Sequence, residues 1–386
     1  MLTVLMRWIG ISAVTCLFIG PTLLHAGLVA PRSLLELEQQ ADLIVVGSAT
    51  ASISAGSPQA VFPLEVSRVV KGDSSIAGTS ITVAWVSSAG LLTTGIVSPG
   101  SNISFSGTGL WFLEHSSSGW LLLPVMTGGI SLNDCYFPVP TGPIAPAYAY
   151  SPTAGLSDKI TSELAAALEA DHPRSMPLDF LNYSLDELGS PVAGILYQRL
   201  SASASVSQRF MGLSGLIRQG SASALSAASS LASQFASFPQ ETGVLLNAIR
   251  NDFRPTDANS VAVLGNIAVD SANLSVSLRQ ASAHALSSIH TSATLPYLAA
   301  LLDDPDEELR FEAIGGIGAF ANGLAVQTPA NTPSLASLQL KPGAPYRTPE
   351  TIANFARGEQ AISRNEAAYL AFWKNWWATN RSALGF

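Results

Sequence analysis

The residues able to do chemistry are few and scattered. The 386-residue chain has five histidines and two cysteines. It contains no His-Glu-x-x-His, Gly-x-Ser-x-Gly or Gly-x4-Gly-Lys pattern and no paired cysteines. The local signatures of zinc hydrolysis, serine acyl transfer, phosphate cradling and structural zinc are therefore missing. His284 and His290 stand six apart on one predicted helix and face different sides, whereas a helical metal pair needs a separation of three or four. Glu114-His115 together with Cys135 is the one combination that would make a thiol dyad. That would suit a hydrolase with its site between two domains, or the chain could be a purely structural envelope protein. The expectation is a protein that is not an enzyme, with no catalytic residues, no metal and no cofactor. Asn102, Asn182, Asn273 and Asn380 lie in sequons, which matter only in a eukaryotic secretory host.

The elements around these residues begin with an apolar run from Trp8 to Leu24. It follows Arg7, contains Pro21 and ends in Leu24-His25-Ala26. This reads as a signal peptide over 1–26, and the proline and short run argue against a membrane span once it is cleaved. The expected location is periplasmic or extracellular. Cleavage would leave Cys135 alone, so stability would have to come from packing rather than a disulfide. The net charge is −8, charged residues make up 12% and hydrophobic residues 47%. No basic stripe is present, so nucleic acid is not an expected partner.

From 27 to 140 the pattern has strand character. Asp42–Gly47, Phe62–Lys71, Thr79–Trp85, Asn102–Phe105, Gly109–Glu114 and Trp120–Val125 are six short β runs separated by turn residues. They predict a small β-barrel or sandwich. The order Ala41-Asp42-x-Ile44-Val45-x-Gly47, then Val66-x-x-Val69-x-Lys71-Gly72, then an alternating strand, resembles the OB-like barrel of netrin modules and tissue inhibitors of metalloproteinases. The resemblance covers about 41–114 and implies architecture only. The inhibitors act through an N-terminal cysteine and disulfides, neither of which this chain has. Residues 141–156, rich in Pro, Gly, Ala and Tyr, read as a semi-rigid linker, with Tyr148 and Tyr150 able to pack on either side.

Helical periodicity dominates 157–323. In 293–321, Leu295, Leu298, Leu301 and Leu302 form an apolar stripe. A capping box then follows, with Asp304 as N-cap, Pro305 first and Glu307 third. The second helix places Leu309, Ala313, Gly316, Ile317 and Phe320 on one face, with Gly323 as its stop. Its pattern Leu309-Arg310-x-x-Ala313-x-x-Gly316-Ile317 repeats 31 residues earlier as Leu278-Arg279-x-x-Ser282-x-x-Ala285-Leu286, and more weakly around Arg209-x-x-Gly212-x-x-Gly215. Further helices are expected over 222–236, 241–251, 257–269 and 275–290.

The unit resembles HEAT repeats, matching at Pro296, Asp304, Leu309, Arg310, Ala313, Gly316, Ile317 and Gly318. The resemblance implies an α-α superhelix, a HEAT-like solenoid, used for protein binding. It also implies an aspartate–arginine ladder with Asp304–Arg310 as one rung; Asp270 is a poorer mate for Arg279. The fold class expected is thus multidomain β + α, a small barrel followed by a solenoid. The partner would be a protein or envelope component held on the concave face, where Gln280, His284, Phe311 and Glu312 are expected to face solvent. A long loop is expected at 324–348, and capping helices at 349–386. The last carries an aromatic stripe of Tyr369, Phe372, Trp373, Trp376 and Trp377. It reads as a cap on the final repeat, with Trp373, Trp376 and Trp377 as docking residues in the alternative.

Overall fold

The computed structural model describes residues 30–54, 59–86, 102–127, 135–170, 178–255, 257–323, 362 and 364–386. The expected signal peptide, the 324–348 loop and the helix expected at 349–357 lie outside them. The chain divides into two compact units, Met1–Pro143 and Ile144–Phe386.

The first unit is a five-stranded closed barrel. Its strands are β2 (Leu43–Ser54), β3 (Gln59–Lys71), β4 (Ser80–Val86), β5 (Asn102–Ser116) and β6 (Gly119–Leu122). They are ordered β2-β3-β4-β6-β5, and β5 closes on β2. β4 pairs with β6 in parallel; the other barrel pairs are antiparallel. Closure removes the unpaired edge that an open sheet of this size would present. The two runs expected at 102–105 and 109–114 are one strand, because the register with β2 continues unbroken from Asn102 to Leu113. A two-residue ribbon joins β1 (Ala30–Pro31) to β7 (Met126–Thr127), and β8 (Tyr136–Pro138) pairs with β5.

Alternation along β3 buries Phe62, Leu64 and Val66 against Val45, Val83, Trp85 and Trp111. The Trp111 indole donates to the Gly47 carbonyl at 3.0 Å and stacks on Tyr136 with ring centroids 4.5 Å apart. Helix α1 (Leu34–Gln40) has a complete capping box between Ser33 and Glu36. The motif residues Asp42 and Lys71 have local structural work. The Asp42 carboxylate accepts the His115 amide at 2.8 Å, and the Lys71 ammonium donates to the carbonyls of Glu38 and Ala41.

The second unit is helical: α2 (Leu156–Glu169), α3 (Leu178–Glu187), α4 (Pro191–Ser201), α5 (Val206–Arg218), α6 (Ala222–Ser230), α7 (Pro239–Asn247), α8 (Ala258–Val269), α9 (Val276–Ile289), α10 (Leu295–Leu301), α11 (Glu307–Ala321) and α12 (Glu366–Asn380). α7 continues into a π turn over Ala248–Asp252. A continuous apolar core runs from Phe210 to Trp373. Gly316 shows why small residues recur here. A Cβ at this position would lie 2.7 Å from the Ser287 Cα, so α9 and α11 touch through backbone.

The segment read as a linker is divided between the units. The Arg68 guanidinium donates to the carbonyls of Pro140, Thr141 and Gly142. Tyr148 is buried beneath Arg199, and Tyr150 donates to Glu163 at 2.8 Å. Both tyrosines therefore pack on the helical unit.

Candidate functional site

The N-cap expected at Asp304 lies two residues later, and with Leu309 at the third helical position the reciprocal capping box is not formed. Asp306 is the N-cap of α11 and accepts the Leu309 amide at 3.1 Å; Pro305 precedes the helix and Glu307 is its first residue. Asp304 is used elsewhere: its carboxylate accepts the Asp306 amide at 3.0 Å and pairs with Arg279 of the preceding helix pair. The rung expected between Asp304 and Arg310 is likewise corrected. Arg310 donates to the backbone carbonyls of Asp304 and Pro305 and pairs with Glu366 on α12 at 2.6 Å. Arg279 thus reaches the turn after α10, and Arg310 reaches α12. Asp270 pairs with Asn273, while Arg279 donates to the Ala268 carbonyl at 3.0 Å. Pro296 occupies the first turn of α10, where its missing N–H is harmless.

The residues expected to face solvent instead join α9 to α11. Gln280 donates to Asp306 at 3.1 Å. His284 Nδ1 lies 2.7 Å from Glu312 Oε1, and Ser287 donates to Glu312 Oε2 at 2.7 Å. Glu312 is buried, and Phe311 packs half-buried against the helical core. The close approach permitted by Gly316 brings these polar side chains within reach of one another. In α12, Tyr369 and Trp373 are buried, which removes Trp373 as an exposed docking residue. Trp376 and Trp377 are half-buried against the same core.

The thiol of Cys135 is fully buried in the barrel core, whereas His115 is exposed and packs edge-on to Trp120. A substrate would have no direct approach to that sulfur. Among the described residues, no three His, Cys, Asp or Glu side chains group as a metal site would require. No helix among them is long and apolar enough to cross a membrane.

Sequence reasoning passed over a second constellation, formed where the ends of several helices converge. An open cavity of about 700 Å³ is lined by residues that include Tyr183, Asp186, Ser190, Arg218, Asp252 and Arg254. Tyr183 and Asp186 come from α3, and Arg218 ends α5, where a cation complements the helix dipole. Asp252 closes the π turn. The Arg218 guanidinium donates to Asp186 at 2.8 Å and lies 4.3 Å from the Tyr183 ring centroid, while its side chain is only 6% exposed. Tyr197 also donates to Asp186, at 3.2 Å, and Tyr183 donates to Asp252.

Two polar atoms in this cluster have no hydrogen-bond partner and are shut off from solvent: Arg218 Nη2 and Asp252 Oδ2. Burial raises the Asp186 carboxyl above the usual range even with Arg218 beside it. Burial and the Asp252 carboxylate push the Tyr183 phenol up to about 12. No linear signal could have revealed the site, since its members span 183 to 254 without periodic spacing.

No protein-family model matches the chain, and no curated protein sequence and no solved structure matches it. The class defined by the structure is thus architectural: a small closed β-barrel joined to a multi-helix unit.

Proposed function

We propose that this protein is an exported, non-catalytic scaffold that binds a protein or cell-envelope component through a HEAT-like helical superhelix. The barrel would be an OB-like module that supports it. The observation carrying this reading is a repeated arginine clamp. Arg209 Nη1 donates to the carbonyls five and six residues before it, those of Ala204 and Ser203. Arg310 does the same with Pro305 and Asp304. The same local device at two distant sites is the behaviour of a structural repeat. The pair Arg279–Asp304 ties α9 to the turn before α11, and Arg310–Glu366 ties α11 to α12, contacts of the kind a stacked array would use. The strand order of the barrel, with its single parallel pair, supports the OB-like part. Export rests on the sequence of residues 1–26.

The test is capture of a partner from cell envelopes by the full chain carrying a photo-crosslinker, followed by mapping of the crosslinks. Crosslinks concentrated in 144–386 are the expected result. A retained partner crosslinked only to 30–143, or no retained partner, would overturn the reading.

A further inference from the structure

We propose that the cavity between the ends of α3, α4, α5 and the α7 π turn is a saccharide site, taking a neutral sugar unit through adjacent hydroxyls. This rests on the reading of the helical unit as a binding unit and names a ligand for it.

The argument starts from the unmet groups. Arg218 Nη2 is a donor without an acceptor, and Asp252 Oδ2 is an acceptor without a donor. They belong to one cluster, bridged by Tyr183, whose ring lies over the Arg218 guanidinium and whose hydroxyl donates to Asp252. A ligand that satisfies both must offer an acceptor and a donor close together. An alcohol does both, and a vicinal diol does so with two atoms in fixed relation.

Charge narrows the class further. The cavity is lined by two cations, Arg218 and Arg254, and three carboxylates, Asp186, Glu187 and Asp252. An anion would meet a surplus of negative charge, whereas a neutral polyol meets balanced donors and acceptors. The Tyr183 phenol stays protonated near neutral pH, since it titrates far above it.

Access is provided by Tyr183. It is 43% exposed, and by turning outward it would give up its stacking on Arg218 and its hydrogen bond to Asp252 and uncover both groups. Its hydroxyl then acts as a placeholder: it occupies Asp252 as a sugar hydroxyl would. Once displaced, the ring offers an aromatic face to the apolar side of a pyranose. The cavity volume, about 700 Å³, falls within the range of small-ligand sites.

The experiment is calorimetric titration of the full chain with three neutral trisaccharides, maltotriose, cellotriose and tri-N-acetylchitotriose, with inorganic phosphate as the anionic and methylammonium as the cationic competitor. Binding of at least one trisaccharide in the millimolar range or tighter is expected. Asp252→Asn should weaken it by about tenfold, as expected when a hydrogen bond to a charged acceptor becomes one to a neutral acceptor. Tyr183→Phe should tighten it, because the phenol no longer competes for Asp252. Tyr183→Ala should weaken it through loss of the ring. Opposite signs for the two tyrosine variants cannot arise from simple unfolding, which circular dichroism would also report.

Binding of phosphate or methylammonium in place of sugars, no binding at all, or binding indifferent to these substitutions would overturn the proposal. The two readings fail separately. An envelope partner that Tyr183→Ala still captures through the helical unit, with no sugar bound, leaves the scaffold and removes this site. A sugar bound by a chain that captures no envelope partner removes the scaffold reading instead.

Discussion

Arg279 and Asp304 form a buried ion pair between successive helix pairs, with side chains 3% and 7% exposed. Neither charge would be tolerated there alone, because desolvation of an isolated ion costs several kcal/mol. Asp304→Ala should therefore cost about 3–5 kcal/mol, since Arg279 keeps only the Ala268 carbonyl. Replacing both, as Arg279→Met with Asp304→Leu, should restore most of that loss. Urea denaturation of the two variants checks this. A single variant as stable as the parent would show that the pair is not held in solution.

Gly315 and Gly316 are neighbours in α11 with opposite expectations. Around Gly315 there is open space, so Gly315→Ala should stabilise by up to about 1 kcal/mol through helix propensity. At Gly316 the new Cβ would meet Ser287 and Leu298 at 2.7 Å, and Gly316→Ala should destabilise by about 1–3 kcal/mol. Thermal melts of both variants decide it; equal shifts would contradict the close packing of α9 on α11.

Trp373 packs α12 against α11. It is 3% exposed and lies against Gly318 of α11. Trp373→Ala should cost about 3–5 kcal/mol and expose apolar core. Increased binding of an apolar dye, with a lowered denaturation midpoint, is the expected result. Trp376→Ala, at a half-buried site, should cost less. The reverse order would argue that α12 does not cap α11.

Asp257 caps α8, accepting the Ser260 amide at 2.7 Å, and the Ser260 hydrogen bonds hold its carboxyl below the usual range. A depressed folded pKa means that the unfolded state binds more protons as pH falls. The stabilisation is complete above the unfolded pKa of about 3.9 and is lost as pH drops through the folded value. Asp257→Ala should therefore lower the melting midpoint at neutral pH and approach the parent in acid. A constant difference across pH would place the effect outside the carboxylate.

Most helices beyond Ser201 were legible because they carry their own period and stops, whereas α3 and α4 were not read and the helix expected over 222–236 ends at Ser230. Asn322 and Gly323 end α11 where the C-cap pattern puts them. The five strands were visible as alternation, although Asn102–Phe105 and Gly109–Glu114 looked separate. Only pairing with β2 joins them, because hydrogen bonds to a neighbour override a weak local pattern.

Chain-local chemistry determined the β-then-α order and the small-residue faces that let helices meet. Tertiary structure decided which aspartate caps α11, since three aspartates within Asp303–Asp306 compete and Arg279, 25 residues away, recruits Asp304. It also turned Gln280, His284 and Glu312 from expected surface residues into a contact between α9 and α11. The cluster of Tyr183, Asp186, Arg218 and Asp252 belongs wholly to that level. Spacing along a helix determines which side chains share a face, but the convergence of separate helix ends depends on how the whole helical unit packs.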